Sequence, residues 1–291
     1  MLERKVYPSY FFFGALILYM VLFVIPSVAG LLLSFTDWSA FSHEINFVGF
    51  DNFARIFSPD ENYFGFIWNT LSFTFITTVA KNILGVAFAL LFTKKVFALN
   101  LHRSILFIPA VLSPLIIGMA FTSILHPRTG LLNTVLRGIG LPSLAQGWLI
   151  NPSIALYSVM GVDTWRGMGY IMTICIAGIM SISPTYYEAA DIDGANGVQK
   201  FFYITLPLLV PTLTVTTVLN VIYGLGVFDM IFVLTNGGPG FATEVLSTSV
   251  FREFSLGRYA IATTLSSVLL VFMLFIGFFL IKIMMKGEVE E

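Results

Sequence analysis

Charged residues are scarce in this chain: aspartate, glutamate, lysine and arginine make up 11% of its 291 residues, against about 25% in an average soluble domain. Cysteine is rarer still, since Cys175 stands alone. A single cysteine excludes an internal disulfide and a cysteine metal cluster. The three histidines, His43, His102 and His126, are scattered and supply no nucleophile-base pair or metal site. These residues therefore disfavour an intramembrane enzyme. The net charge of −1 gives no indication that the protein binds nucleic acid.

Apolar residues are abundant instead, at 57% of the chain. Residues 6–36 and 104–125 contain no charged side chain, and each run exceeds the roughly 20 residues that cross a bilayer. The first run is too long for a signal-peptide core, so we interpret it as a mature helix. The sequence predicts an all-α polytopic membrane protein with six transmembrane helices, near 10–34, 68–92, 103–125, 154–180, 206–234 and 259–284.

The distribution of basic residues predicts the orientation. An even number of spans places both termini on one side of the membrane. With the termini inside, the inner segments hold eight Lys and Arg residues and the longer outer loops hold five. Because basic residues favour the cytoplasmic side, both termini are expected in the cytoplasm.

Two outer segments are expected to be ordered. Residues 47–57 mix aromatic and polar groups, as at a membrane interface. Residues 243–254 are predicted to form an amphipathic helix, with Val245, Ser249 and Arg252 on one side and Leu246, Val250 and Phe254 on the other. No internal repeat is evident, so an ion-coupled secondary transporter with inverted repeats is the weaker alternative.

The stretch YYEAADIDGANGVQKFFYITLPLLVP (186–211) interrupts this apolar chain with charge. Thr185 and Glu188 fit a capping box that starts a helix. Ala189 and Ala190 keep one helix face small, so that another protein can approach closely. Gly194 can end the helix with a positive φ.

A second short helix is predicted at 196–204, before Pro207, whose missing N–H is tolerated early in the next helix. The pattern indicates an L-shaped pair of short helices projecting on the inner side. An ordinary solvated loop is the alternative.

The same stretch resembles the EAA motif in permease subunits of binding-protein-dependent ABC importers. The matching positions are Glu188-Ala189-Ala190, Asp193-Gly194-Ala195, Phe201, Ile204 and Leu206-Pro207. The resemblance implies a type I ABC importer permease fold, with cytoplasmic coupling helices at about 184–204. It also implies that Glu188 pairs with a basic group on an ATPase, that Ala189 and Ala190 pack in its groove, and that Gly194 forms the turn.

Four further stretches resemble carbohydrate-type, maltose-like permeases: NFVGFDNF (46–53), LFIPAVLSPLIIG (106–118), DTWRGMGYIM (163–172) and LTNGGPG (234–240). The resemblance spans essentially the whole chain and implies one permease domain, 1–291. The second permease type carries W-N where this chain has Phe228-Asp229 and ends in a G-A-V-K-G tail, so this chain resembles the first member of a heterodimer.

The resemblance implies a set of partners in a bacterial or archaeal inner membrane. They are a second homologous permease, two copies of a cytoplasmic ATPase, an extracellular or periplasmic sugar-binding protein, and membrane lipid. The sequence lacks the G-x-x-x-x-G-K-[ST] pattern of a phosphate-binding loop. This chain is therefore expected to bind no cofactor and not to be an enzyme, with ATP and Mg²⁺ held by the partner ATPase.

Four charged residues, Lys81, Asp163, Arg166 and Asp229, fall within predicted spans, where each costs on the order of 3 kcal/mol. They sum to zero, which favours pairing, and Asp163 and Arg166 are i,i+3 neighbours. One interpretation is a structural role for these charges, in which Asp229 lies near the outer mouth of the membrane domain and stays hydrated. A polar cavity that binds sugar hydroxyls is the second. A proton relay is the third and weakest.

The fifth span offers the best predicted substrate path. Asn220, Tyr223, Gly224 and Val227 follow i, i+3, i+4, i+7 spacing and share a helix face, although plain helix packing gives the same pattern. The resemblance places substrate contacts at Tyr223, Gly224 and Val227, at Gly167 on the fourth span and at Met119 on the third, with Phe228 adjoining. Because Gly224 and Val227 replace polar side chains of the maltose-type family, the same sugar is not implied.

Overall fold

The computed structural model describes residues 10–42, 44–58, 61–94 and 97–285. The described residues fall into two compact units, one drawn from Met1–Phe64 and Ser249–Leu270 and the other from Gly65–Thr248 and Val271–Glu291. The expectation of one permease domain stays a prediction. The predictions that rest on Arg4, Lys5, His43, Lys95 and Lys286 lie outside the described residues.

Helices dominate the described part of the chain, which otherwise has one isolated antiparallel bridge, Thr36 to Phe47. In chain order they are α1 Tyr10–Tyr19, a π-helical stretch Met20–Val24, α2 Ile25–Leu33, α3 Asp51–Ile56, α4 Tyr63–Phe92, α5 Leu99–Val111, α6 Pro114–Ile124, α7 Leu131–Gly138, a 3₁₀ turn Pro142–Leu144, α8 Ala155–Ser181, α9 Pro184–Ile192, α10 Gly197–Lys200, a second π-helical stretch Phe201–Thr205, α11 Leu206–Leu225, α12 Asp229–Leu234, α13 Leu246–Ser255 and α14 Tyr259–Met285.

Four of these segments are long and apolar enough to cross a membrane: Phe12–Leu33, Tyr63–Phe92, Gly197–Leu225 and Tyr259–Leu280. The number rises to six if two bent pairs each count as one span, namely α5 with α6, bent by 99°, and α8 with α9, bent by 68°. Each second helix begins at a proline, Pro114 or Pro184, after a serine with extended backbone. Proline disfavours a helical conformation in the residue before it, which explains why both breaks fall there.

The third and fifth predicted spans are therefore not single straight helices. The third, 103–125, bends at Leu112 and Ser113. The fifth, 206–234, is interrupted after Leu225, and α12 starts only at Asp229. Hydropathy averages over a window of residues and does not detect either break.

The predicted short helix at 196–204 is also wrong as a separate element. Residues Gly197–Leu225 form one continuous helical segment, which passes through the π-helical stretch Phe201–Thr205 just before Pro207. Pro207 lacks the N–H that would bond one turn back. The wider π-helical turn accommodates that loss, and the helix continues instead of stopping.

In the second unit, α8 is packed closely against both α4 and α5. A side chain at Gly169 would overlap the carbonyl oxygen of Leu106 on α5, and one at Gly85 on α4 would lie 2.6 Å from a side-chain carbon of Ile171. Around these contacts lies an apolar cluster of Ala89, Phe92, Ile171, Met172, Cys175 and Ile176. Glycine therefore lets the backbones of these helices come close, a packing mode common among membrane helices.

The part of α13 that belongs to the first unit, from Ser249 onward, does not divide into the two predicted faces. Ser249 and Glu253 are fully buried, whereas Phe251 and Phe254 are about half exposed. Glu253 is compensated by ion pairs to Arg258 at 2.8 Å and to Arg252 at 3.3 Å. Because buried charge is tolerated when it is paired, the inward side of this helix is polar.

An exposed carboxylate of the first unit, Asp37, lies just after α2. It accepts hydrogen bonds from the backbone N–H of Asn46 at 2.7 Å and from the Asn46 amide at 3.1 Å. These bonds favour the ionised form and lower the pKa of Asp37 below its ordinary value of 3.8.

Candidate functional site

A buried charged network joins three helices of the second unit. Asp163 on α8 is fully buried, and one of its oxygens, Oδ2, lies 2.6 Å from Nζ of Lys81 on α4. The Tyr223 hydroxyl on α11 donates to the other oxygen, Oδ1, at 2.9 Å. Arg166, one turn along α8, lies 3.8 Å from that same oxygen. Asp163 is thus the common anion of the network.

Tyr223 connects the two cations. Arg166 Nη1 donates to the Tyr223 hydroxyl at 3.2 Å, and Lys81 Nζ lies 4.6 Å from the centre of its ring. The predicted pairing of Asp163 with Arg166 is present, but sequence reasoning missed Lys81 as the nearer partner. The available signal was its position mid-helix, because a charged residue inside a membrane span needs a partner or a polar cavity.

A cavity of about 260 Å³ adjoins this network. It is lined by Lys81, Ala110, Arg166, Gly167, Tyr170, Leu219, Asn220 and Tyr223. At Gly167 an added Cβ would lie 2.7 Å from Cε of Lys81. A larger residue there would therefore push the Lys81 side chain from its position.

The cavity brings together three of the predicted path residues, Gly167, Asn220 and Tyr223, but not the others. An added side chain at Gly224 would meet Thr74 Cα at 2.9 Å, so this glycine serves close contact with α4. Val227 lies beyond the end of α11, in an apolar cluster. Gly224 and Val227, the i+4 and i+7 positions of the predicted face, thus do not line the cavity.

The remaining two predicted path residues lie on α6 and at the start of α12. Met119 on α6 is 62% exposed and does not line the cavity. Phe228 precedes α12 and stacks on Phe232 at 5.0 Å between ring centres. Asp229 is exposed, and its hydration near the outer mouth stays a prediction.

The predicted coupling segment is built around α9. The helix begins at Pro184, and Ser183 is the N-cap, whose side-chain oxygen accepts from the backbone N–H of Thr185. The predicted capping box of Thr185 with Glu188 is therefore wrong. A proline at the first helical position and a serine before it are sufficient to start the helix, which leaves the exposed Glu188 carboxylate uninvolved in the cap.

Gly194 makes the turn after α9, as predicted, with φ +74° and nothing within 4 Å of an added Cβ. The capping box expected earlier occurs instead between Asn196 and Gln199, at the start of α10. Lys200 forms an ion pair with Asp191, which ties the beginning of the next span to α9.

The surface of α9 and of the turn that follows it is exposed to solvent and partly apolar. Glu188, Ala189, Asp193 and Gly194 are exposed, and Ala190 and Ala195 are half-buried. Ile192 is 88% exposed. Apolar side chains beside acidic ones on an ordered turn are typical of a surface that binds another protein.

The comparisons with known proteins assign the family. Residues 81–286 match the family of binding-protein-dependent transport system inner membrane components, and the chain belongs to it. The chain is 33% identical to the probable ABC transporter permease YurN of Bacillus subtilis, with 99% of both chains covered. It is also 33% identical to the trehalose/maltose transport system permease MalF of Thermococcus litoralis, over 89% of this chain and 86% of that protein.

A solved structure has the same fold: a bacterial alginate ABC transporter in complex with an alginate pentasaccharide-bound periplasmic protein. Its matching chain is 27% identical, with a TM-score of 0.80 over 94% of this chain and 93% of that one. The predicted fold and the predicted role as a permease of the sugar-importer class are confirmed, and the ion-coupled alternative is not favoured. The family is one of transporter permeases of the inner membrane, not of classical enzymes.

Proposed function

We propose that this chain forms half of a carbohydrate path and that the cavity among α4, α8 and α11 is part of that path. The observation that carries the proposal is the convergence of Gly167, Asn220 and Tyr223 on one cavity. Hydroxyl, amide and aromatic groups suit a sugar, whose hydroxyls take hydrogen bonds while its C–H faces stack on rings. The carbohydrates named for the relatives support the same class of substrate.

The α9 segment is proposed as the contact with a cytoplasmic ATPase. Glu188 offers its carboxylate to a basic group, Ala189 and Ala190 allow close approach, and Gly194 with Ala195 fixes the turn. ATP and Mg²⁺ are bound by that ATPase, whose closure selects inward-open or outward-open states through α9. Support comes from the exposure of this ordered, mixed polar and apolar surface.

The proposed assembly contains this chain, one homologous permease, two ATPase copies and a sugar-binding protein on the outer face. Both termini and α9 are placed in the cytoplasm, which fits the bias of basic residues. The outer segments 47–57 and 243–254 are proposed to help form the docking rim. The periplasmic binding protein in the related alginate transporter structure supports this partner class.

Thiol accessibility tests the proposed path. Cysteine is introduced at Leu219 or Tyr223, both of which line the cavity, while the native Cys175 is fully buried and stays silent. In the assembled importer we expect both positions to react with a water-soluble maleimide, at rates that differ between the ATP-bound and resting states.

Cysteine at Val227 is the matched control, because that residue follows α11 but is only 2% exposed. Reaction at position 219 or 223 no faster than at 227, in every state of the importer, would refute the path assignment. Sugar uptake by the same complexes shows that the importer assembled.

A further inference from the structure

The charge balance of the cavity is uneven. Two cations, Lys81 and Arg166, belong to its lining, and no carboxylate does. Asp163 has no exposed side-chain surface and lies behind the lining, where it pairs with Lys81. Among Lys81, Asp163 and Arg166, one anion therefore faces two cations. A further carboxylate, Asp229, acts on Tyr223 through its charge but is exposed and outside the lining.

The surplus charge resides on Arg166. Its guanidinium is 1.2 Å farther from Asp163 than the Lys81 ammonium, at 3.8 against 2.6 Å, and its side chain keeps 17% exposure. In a site of low dielectric, an uncompensated cation attracts an anion far more strongly than it does in water.

The unpaired hydrogen-bonding groups at the cavity also favour an anionic ligand. Asn220 Nδ2 and Arg166 Nε are covered and have no hydrogen-bond partner among the described residues. Both are donors, and a buried donor without an acceptor costs about 1–3 kcal/mol. Two donors at the cavity thus lack an acceptor, and its described lining supplies no anion.

We propose that this cavity takes an acidic sugar, with the carboxylate of a uronic acid unit placed beside Arg166 and Asn220. The inference rests on the proposed path. A cavity of about 260 Å³ is near the lower end of ligand pockets, about 300–1,000 Å³, so it accommodates one sugar unit of a longer chain. A neutral sugar leaves the Arg166 charge uncompensated.

Equilibrium dialysis of the purified complex of permeases and ATPase, without binding protein, tests this inference. The probes are fluorescently labelled trigalacturonate and the same trisaccharide after carboxyl reduction, which have the same linkage but differ in charge. We expect the acidic form to bind at least about tenfold more tightly, as one uncompensated charge pair in a partly dry site requires.

Asn220→Asp supplies the missing anion at nearly constant shape and should abolish this preference. Gln146→Glu adds the same charge to an exposed side chain outside the cavity lining; it is the matched control and should retain the preference. Equal affinity for the two probes, no binding of either, or an unchanged preference in Asn220→Asp would overturn the proposal. ATP-dependent uptake of a neutral sugar by the complete importer in that case would show that the path assignment survives.

Discussion

The charged network and the α9 segment belong to the same compact unit, but the charges of the first are buried and paired whereas those of the second are exposed. Lys81 and Asp163 are almost fully buried and pair with each other at 2.6 Å. Glu188 and Asp193 are exposed and form no ion pair with a described residue. Inside a membrane span, a charge must be compensated within the chain, whereas on the cytoplasmic surface an unpaired carboxylate stays hydrated and remains available to a partner.

The largest expected effect comes from removing the shared anion. Asp163→Asn leaves the buried Lys81 and the nearby Arg166 without a counter-charge, and breaking a buried pair costs about 3–5 kcal/mol. We expect a large fall in the thermal midpoint of the purified complex and poor recovery from the membrane, measured by fluorescence-detected size exclusion after heating.

Asp229→Asn is the matched control, since this aspartate is exposed at the start of α12, and its midpoint should stay near that of the wild type. An Asp163→Asn complex as heat-resistant as the Asp229→Asn complex would contradict the view that the buried network holds α4, α8 and α11 together.

The next effect concerns coupling and leaves the fold intact. Glu188→Lys places like charges against the proposed basic surface of the ATPase, at a cost of several kcal/mol. We expect uptake and substrate-stimulated ATP hydrolysis to fall by more than about tenfold, while membrane insertion is unchanged. Glu44→Lys reverses an exposed charge outside both the α9 segment and the proposed docking rim, and it serves as control. Full transport activity in Glu188→Lys would remove the coupling assignment.

A smaller effect should follow from the turn after α9. Gly194→Ala keeps space around the side chain but puts a Cβ on a residue with φ +74°, which costs roughly 1–2 kcal/mol. Gly197→Ala is closely matched: it too has nothing within 4 Å of an added Cβ, and its φ lies outside the left-handed region. We expect only the first variant to lower coupled ATP hydrolysis; equal rates in both would disprove a requirement for the positive φ.

The smallest effect is expected at Asp37, which has hydrogen bonds but no ion pair among the described residues. Because its pKa is lowered in the folded state, its stabilising contribution is complete above the unfolded pKa and is lost as pH falls through the lowered value. Hydrogen exchange at the Asn46 amide should be faster in Asp37→Asn than in the wild type at pH 7, and the difference should vanish at strongly acid pH. A pH-independent difference would contradict this assignment.

The sequence predicted these two regions with unequal success. The EAA stretch is contiguous, so its helix and its turn at Gly194 could be predicted from local residues, although the cap was wrong because Ser183-Pro184 outranked Thr185. Lys81 and Asp163 are 82 positions apart. Helix periodicity relates neighbours within a few turns and contains no information on which helices meet. For the same reason it did not reveal that Gly224 faces Thr74 and not the cavity.

The length of α8 has a mechanical consequence. The helix is unbroken from Ala155 to Ser181 and reaches α9 through only two extended residues, Ile182 and Ser183. Asp163 lies 18 residues before the end of α8, a distance of about 27 Å at 1.5 Å per residue. So short a connection leaves α9 little freedom to move without α8, and α8 would therefore link the proposed ATPase contact to the buried charged network. A side chain at Gly169 would clash with α5, and one at Gly85 would clash with α8 from α4; we expect either to hinder movement of α8 while the groups at both of its ends stay unchanged.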